Sequence, residues 1–222
     1  MSTTSRPGRR RKYDNSRRRA DAEARQRRII DAATDLLVEQ GFGATSIDQI
    51  AAAADVSSPT VYATFGSKAG VLARAIDVAL VGDYEDIPLV DRALSLIEKS
   101  GTRELRQCAA VAHFIRTLNE RVAPLIRVME QAASTDPALQ ELRTRLMGAI
   151  RADCSVIVEK SWRTTLRPGL SEDEATDAMA MMLSPYVYSI LTVDWGWSLD
   201  RYQQWLADAL PHLLLRPELL RE

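Results

Sequence analysis

Ser58, Thr60 and Tyr62 stand at the leading end of a short helical segment that starts near Ser57, inside residues 43–72. Their hydroxyls donate and accept hydrogen bonds, and a helix that leads with such groups can meet base edges or phosphates in a DNA major groove. A second resource is charge. Residues 1–28 carry 11 Lys/Arg against 3 Asp/Glu, and the rest of the chain 18 against 27. The net charge of -1 therefore hides a basic end. Arg9, Arg10, Arg11, Lys12, Arg17, Arg18 and Arg19 can follow phosphates or enter a minor groove, adding affinity with little sequence information. The bland alternative is a solvated charge run.

The elements that would position the hydroxyls are legible. Ser46, with Gln49 three residues on, forms a capping box for a first helix whose Ile47, Ile50, Ala51 and Ala54 share one face. Asp55 and Val56 make a turn, Ser57 caps the second helix, and Pro59 sits in its first turn, where a missing N–H matters little. This is a helix-turn-helix. Before it, Ile29, Ala33, Leu36 and Leu37 predict a helix from about Ala24 that Gly41 ends, with Phe42 folding back. After it, Ser67 caps a connector whose Leu72, Ala75, Ile76 and Ala79 form a stripe ending near Val81 or Gly82. Residues 1–23 lack hydrophobic periodicity and are expected to form a disordered basic tail.

Further helix boundaries follow at Pro88, at Gly101-Thr102 and at Asp136-Pro137, with Asp136 as cap. Arg167-Pro168-Gly169 interrupts the second half, after which Ser171 and Glu174 form a capping box for a long apolar helix over 171–193. Gly196 and Ser198 precede a last helix, 198–214, with Leu199, Tyr202, Leu206, Ala209, Leu210 and Leu213 on one face. No alternating run predicts a sheet, so the expected fold is all-α.

Composition is that of a soluble globular chain, with 46% hydrophobic and 27% charged residues. The longest uncharged run, Ala178 to Val193, contains Pro185 and is too short to span a bilayer, for which about 20 residues are needed. The Arg-rich start is not followed by an apolar segment before Ile29, so no export signal is expected. Cys108 and Cys154 read as free, buried thiols in a cytoplasmic protein. His113 and His212, the only histidines, lie far apart on apolar helices, and the acidic residues are dispersed as caps and surface charges. Neither an enzyme, a metal site nor a cofactor is expected.

The helix-turn-helix resembles that of the TetR family of bacterial transcriptional regulators over residues 24–82. The shared pattern is Thr-Ser-Ile-x-x-Ile-Ala at 45–51, Val-Ser-x-x-Thr-Val-Tyr at 56–62, Phe65, and Ser-Lys-x-x-Val-Leu at 67–72. Beyond residue 82 only length and helical content are similar. The resemblance implies base contacts for Ser58, Pro59, Thr60 and Tyr62, and phosphate contacts for Ser46, Tyr62 and Lys68. Asp55 stands where glycine is common, Pro59 where many members have glycine, and Thr64 where His or Tyr is frequent, which weakens one phosphate contact. Asp48, in a place where some members have a basic reader, would repel phosphate and is not counted among the contacts.

The resemblance further implies an N-terminal three-helix head joined by a connector helix (24–82) to a larger helical domain (83–222) that binds a ligand and dimerises through the last two long helices. Two-fold symmetry then predicts a palindromic operator whose half-sites lie about 34 Å apart. Phe114, Met129, Trp162, Met182 and Tyr186 are candidate walls for a small apolar or amphipathic ligand. Each could equally be ordinary core. Trp195, Trp197 and Trp205 suit packing or the dimer contact. The expected function is a homodimeric, ligand-released repressor of double-stranded DNA in the cytoplasm. The alternative is a general DNA-coating protein that uses the basic tail without ligand control.

Overall fold

A computed structural model of the chain describes residues 9–82 and 87–220, with side chains from Arg17 onward. Among the described residues there are helices and no strand; one isolated bridge joins Leu166 to Leu215. The chain divides into two compact units, one through Ala75 and one from Ile76.

The first unit holds α1 (Arg9–Ala44), α2 (Ile47–Ala53), α3 (Ser58–Phe65) and the start of α4 (Lys68–Val81). Its core takes in Ile29, Ala33 and Leu37 from α1, Ile47, Ile50, Ala51 and Ala54 around α2, and Leu72 and Ala75 from α4, all expected from periodicity. Ile30, Val61 and Val71, which the periodicity does not single out, join them, and Leu36, expected on the same face of α1, is only half-buried. Gly41, at φ 80°, breaks the helical path of α1 as expected. At the other end the expected tail boundary moves: helix begins at Arg9, well before Ala24. Arg, Lys, Ala, Glu and Gln are strong helix formers, and Arg19 pairs with Glu23 one turn on, at 3.0 Å. Helix there needs no buried face. Residues 1–8 of the expected tail lie outside the described residues.

The second unit is organised around α6 (Glu104–Ala133), against which α5 (Leu89–Lys99), α7 (Pro137–Ile157), α9 (Pro185–Ser189) and α10 (Leu199–Leu214) pack. α8 (Glu172–Leu183) packs on α7 and α10. Caps behave as the sequence predicts in three places: Asp136 accepts from the Ala138 and Leu139 amides, Ser171 and Glu174 form a capping box, and Ser67 accepts from Gly70. Ser198 also caps α10, accepting from the Arg201 amide. Thr102 does not cap α6, because Arg103 occupies the cap position.

The long apolar helix expected over 171–193 is broken in two. Ser184 is extended, its hydroxyl accepts from the Val187 amide, and Pro185 opens α9. Proline lacks the N–H that would continue the ladder and pushes the residue before it out of helical conformation. α9 then widens into a π-type turn, Ile190–Asp194, as α7 does at Val158–Trp162. A buried core runs through the unit and includes Trp162, Met179, Tyr202, Leu206 and Leu210.

Two side chains of α6 tie up helix ends in this unit. Arg121 donates to the carbonyls of Ala79 and Leu80 in the last turn of α4, and its guanidinium lies 2.7 Å from where a Cβ on Gly82 would be. Asn119 donates its amide to the Leu183 carbonyl at the end of α8, 3.1 Å away. Terminal carbonyls of a helix have no partner within it, so both contacts meet a real need.

Candidate nucleic-acid interface

The turn between α2 and α3 is built on Asp55, the one described non-glycine residue at positive φ, 53°. Aspartate tolerates this left-handed conformation better than most side chains, which is why the turn closes without glycine. On the near side, the Ser46 hydroxyl accepts from the Gln49 amide at 3.1 Å and the Gln49 side chain accepts from the Ser46 amide at 2.7 Å. Both halves of the capping box are present.

The α3 start differs from expectation in one detail. Ser57 holds the cap position in extended conformation, but its hydroxyl bonds to the Thr60 hydroxyl at 2.8 Å, not to a backbone amide. Ser58 donates to the Asp48 carboxylate of α2. Thr64 donates to the Thr60 carbonyl at 2.8 Å, so its hydroxyl is directed back along the helix. Pro59 and Tyr62 are exposed, Tyr62 at 53%. Val61, the residue before Tyr62, is fully buried, so α3 is anchored on the core while Tyr62 stays open.

Lys68 takes a role that spacing could not reveal. Its ammonium donates to the carbonyls of Phe42 and Thr45 and stands 4.2 Å from the centre of the Phe42 ring. The Phe42 ring, expected to fold back over α1, has this ammonium over its face. Arg28 donates to the Ala54 carbonyl, joining α1 to the end of α2. Both cations hold the motif in shape. Arg17, Arg18 and Arg19 are exposed on successive positions of α1, with Arg19 engaged by Glu23. The side chains of Arg9, Arg10, Arg11 and Lys12 lie outside the described residues.

The five candidate ligand residues scatter in the second unit. Phe114 borders an apolar cavity of about 70 Å³ together with Val90, Val111, Ile115, Asn119 and Asp153. Met129 and Trp162 are fully buried, and the Trp162 indole donates to Gln107 at 3.0 Å. Met182 packs on the core's edge. Tyr186 donates to Glu130 at 2.6 Å beside an open depression on the surface, and burial together with the Glu130 carboxylate pushes its phenol pKa up. Aromatic and thioether side chains are also what a helical core needs, so residue type alone could not separate wall from core. Asn119 and Asp153 were missed because a lone polar residue on an apolar helix carries no pattern.

His113 and His212 are exposed, each bonded through Nδ1, to Gln203 and to the Asp208 carbonyl. Cys108 and Cys154 are buried and unpaired, and burial pushes both thiols up to about 12. Among the described residues no helix is long and apolar enough to cross a membrane.

Residues 29–75 match the family model described as bacterial regulatory proteins, tetR family. YdeS of Bacillus subtilis strain 168, an uncharacterized HTH-type transcriptional regulator, is 28% identical over 179 residues, 80% of this chain and 83% of that protein. The fold is similar to that of NalD, the secondary repressor of the MexAB-OprM multidrug efflux pump in Pseudomonas aeruginosa. The TM-score is 0.66 at 21% identity, covering 89% of this chain and 99% of NalD. It is also similar to SmeT in a complex with triclosan, with a TM-score of 0.66 at 17% identity, over 90% of this chain and 98% of that one.

Proposed function

Because residues 29–75 match the tetR family model, we propose that this chain is a TetR-family regulator, a homodimeric repressor that occupies a palindromic operator and releases it when a small molecule fills the larger unit. The family consists of DNA-binding regulators that act as dimers and are not enzymes. The observation that carries the reading is the leading face of α3, where Pro59 and Tyr62 are exposed on a helix fixed from behind by Val61. Ser46, Ser58 and Thr60 lie on the same motif and offer hydroxyls; Arg17, Arg18 and Arg19 supply phosphate attraction. Lys68 contributes by holding the α1–α2 corner more than by reaching a phosphate.

Dimerisation is supported by an apolar set that a lone chain would leave in water: Met181 of α8 and Ile190, Val193 and Trp195 after α9 are all exposed. They lie on the segments from which the family bundle is expected. Large apolar side chains exposed along these segments suit a surface that another chain covers. The cavity lined by Phe114 supports a ligand-responsive mechanism, and NalD, a repressor, and SmeT, solved with triclosan, have the same fold. At about 70 Å³ it is well below the ~300 Å³ at which ordinary ligand pockets begin, so a ligand must open it. Opening is what a population shift requires, since the ligand then binds one arrangement better than the other. Leu80, in the last turn of α4, is part of the wall.

Selection of bound sequences from random DNA, followed by titration of the selected duplex against scrambled DNA, tests this. A palindrome bound by two chains with a preference of about 10³ or more is expected. Equal affinity for both duplexes, with a steep salt slope, would instead establish the DNA-coating reading.

A further inference from the structure

Asn119 is fully buried in α6 and has one half of its amide satisfied. Its Nδ2 donates to the Leu183 carbonyl and to the Tyr202 hydroxyl, each at 3.1 Å. The Leu183 carbonyl can only accept, so the amide orientation is determined by the network. That leaves Oδ1 as the acceptor, and among the described residues it has no partner. A buried carbonyl oxygen without a donor costs about 1–3 kcal/mol. Asn119 lines the apolar cavity.

The other oxygen-bearing side chain of the lining is Asp153, and the lining also holds the Cys154 thiol, a weak donor. The remaining walls come from side chains such as Val90, Val111, Phe114 and Ile115, and among the described lining residues none is basic. The two oxygen-bearing side chains of the lining thus offer acceptors, and no charged donor lines the cavity. Such a lining rejects anions and molecules that can only accept, because both would leave buried lone pairs facing each other.

We propose that the cavity selects an apolar amine: a hydrocarbon body against the aliphatic and aromatic walls, an N–H donated to Asn119 Oδ1, and a positive charge balanced by the Asp153 carboxylate. This rests on the reading of the second unit as ligand-responsive and names the ligand class for it. Burial and the neighbouring Asp91 carboxylate both raise the Asp153 pKa, a cost of ionisation that an entering cation relieves. The bond to Asn119 likewise supplies the donor its oxygen lacks.

The test uses the full-length protein and four one-ring probes of nearly equal size: benzylamine, benzyl alcohol, toluene and benzoate. Binding is measured calorimetrically, and operator occupancy is followed in parallel by fluorescence anisotropy. Benzylamine is expected to bind about tenfold more tightly than benzyl alcohol, which in turn exceeds toluene, with benzoate weakest. Asn119→Leu should erase the difference between the alcohol and toluene. Should that variant unfold, Asp153→Asn serves independently and should remove the advantage of the amine over the alcohol.

Toluene or benzoate bound as tightly as benzylamine would overturn the proposed chemistry while leaving a ligand-responsive regulator in place. Absence of binding by all four also overturns it. Failure of the underlying reading looks different: the operator would remain occupied at saturating concentrations of a probe shown to bind.

Discussion

Ser58 of α3 donates its hydroxyl to the carboxylate of Asp48 on α2, so one intended contact residue is already engaged by an anion on the same face of the motif. Spacing alone brings neither residue to the other, because they are ten positions apart and separated by the turn. The bond locks the two helices together and lowers the positive potential where phosphate would approach.

Asp48→Asn should therefore strengthen DNA binding and weaken discrimination. The amide keeps a hydrogen bond to Ser58 but removes the repulsion. Anisotropy titrations at two salt concentrations are expected to show a severalfold gain on both operator and scrambled duplex. Weakened binding to the operator, with the scrambled duplex unchanged or stronger, would mean that Asp48 itself accepts from a base.

Tyr62→Ala is expected to separate affinity from stability. An exposed side chain of this kind changes folding by no more than about 0.5 kcal/mol, whereas loss of an interfacial aromatic should lower operator affinity about tenfold. Thermal melting alongside titration checks both halves. A tenfold loss without change in Tm assigns Tyr62 to the interface.

Lys68→Met is expected to do the reverse. Two charge-assisted bonds to the Phe42 and Thr45 carbonyls disappear, and such bonds contribute about 1.5–3 kcal/mol each. Melting of the first unit should fall by several degrees while the salt slope of DNA binding stays the same. A slope reduced by about 0.9 would instead identify a phosphate contact.

Replacing Arg17, Arg18 and Arg19 together by Gln keeps the helix propensity of α1 and removes three positive charges. Operator and scrambled affinities should fall alike, and the slope of log affinity against log salt should flatten by about 0.9 for each phosphate released. An unchanged slope assigns these residues to solvation of the helix.

Stability should decline at alkaline pH through Cys108 and Cys154. In the unfolded chain each thiol ionises near 9.0, and in the fold near 12, so the folded state retains protons that the unfolded state loses. The stabilising difference is present in full below pH 9 and is lost progressively from there toward 12. Native protein at pH 8 should accordingly resist alkylation by iodoacetamide, and denatured protein should react at both thiols.

Much of the helix-turn-helix could be read from residue order because its determinants are local. Ser46 and Gln49 are one turn apart, Asp55 closes a turn by its own backbone tolerance, and Ile47, Ile50 and Ala51 declare a buried face by period. Lys68 could not be read in this way, since a lysine near a motif looks the same whether its ammonium points to solvent or to the carbonyls of Phe42 and Thr45. α1 before Ala24 was missed because an all-polar helix has no stripe, and the break at Ser184-Pro185 because a continuous apolar run outweighed the proline. In the second unit, Phe114 reached the cavity but Met129 and Trp162 did not. Core and cavity wall draw on the same residue types, and the informative atom, Asn119 Oδ1, is defined by a missing neighbour.

Gly82, at φ 79°, leaves room for the Arg121 guanidinium on the last turn of α4. A single methyl there would both strain the backbone and evict that cation, freeing two carbonyls to fray. The smallest residue in the chain thus acts as the keyhole for one of its largest, and Gly82→Ala would loosen the end of α4 that borders the apolar cavity through Leu80. Sensitivity to an effector could be tuned there by a change that touches neither DNA nor ligand.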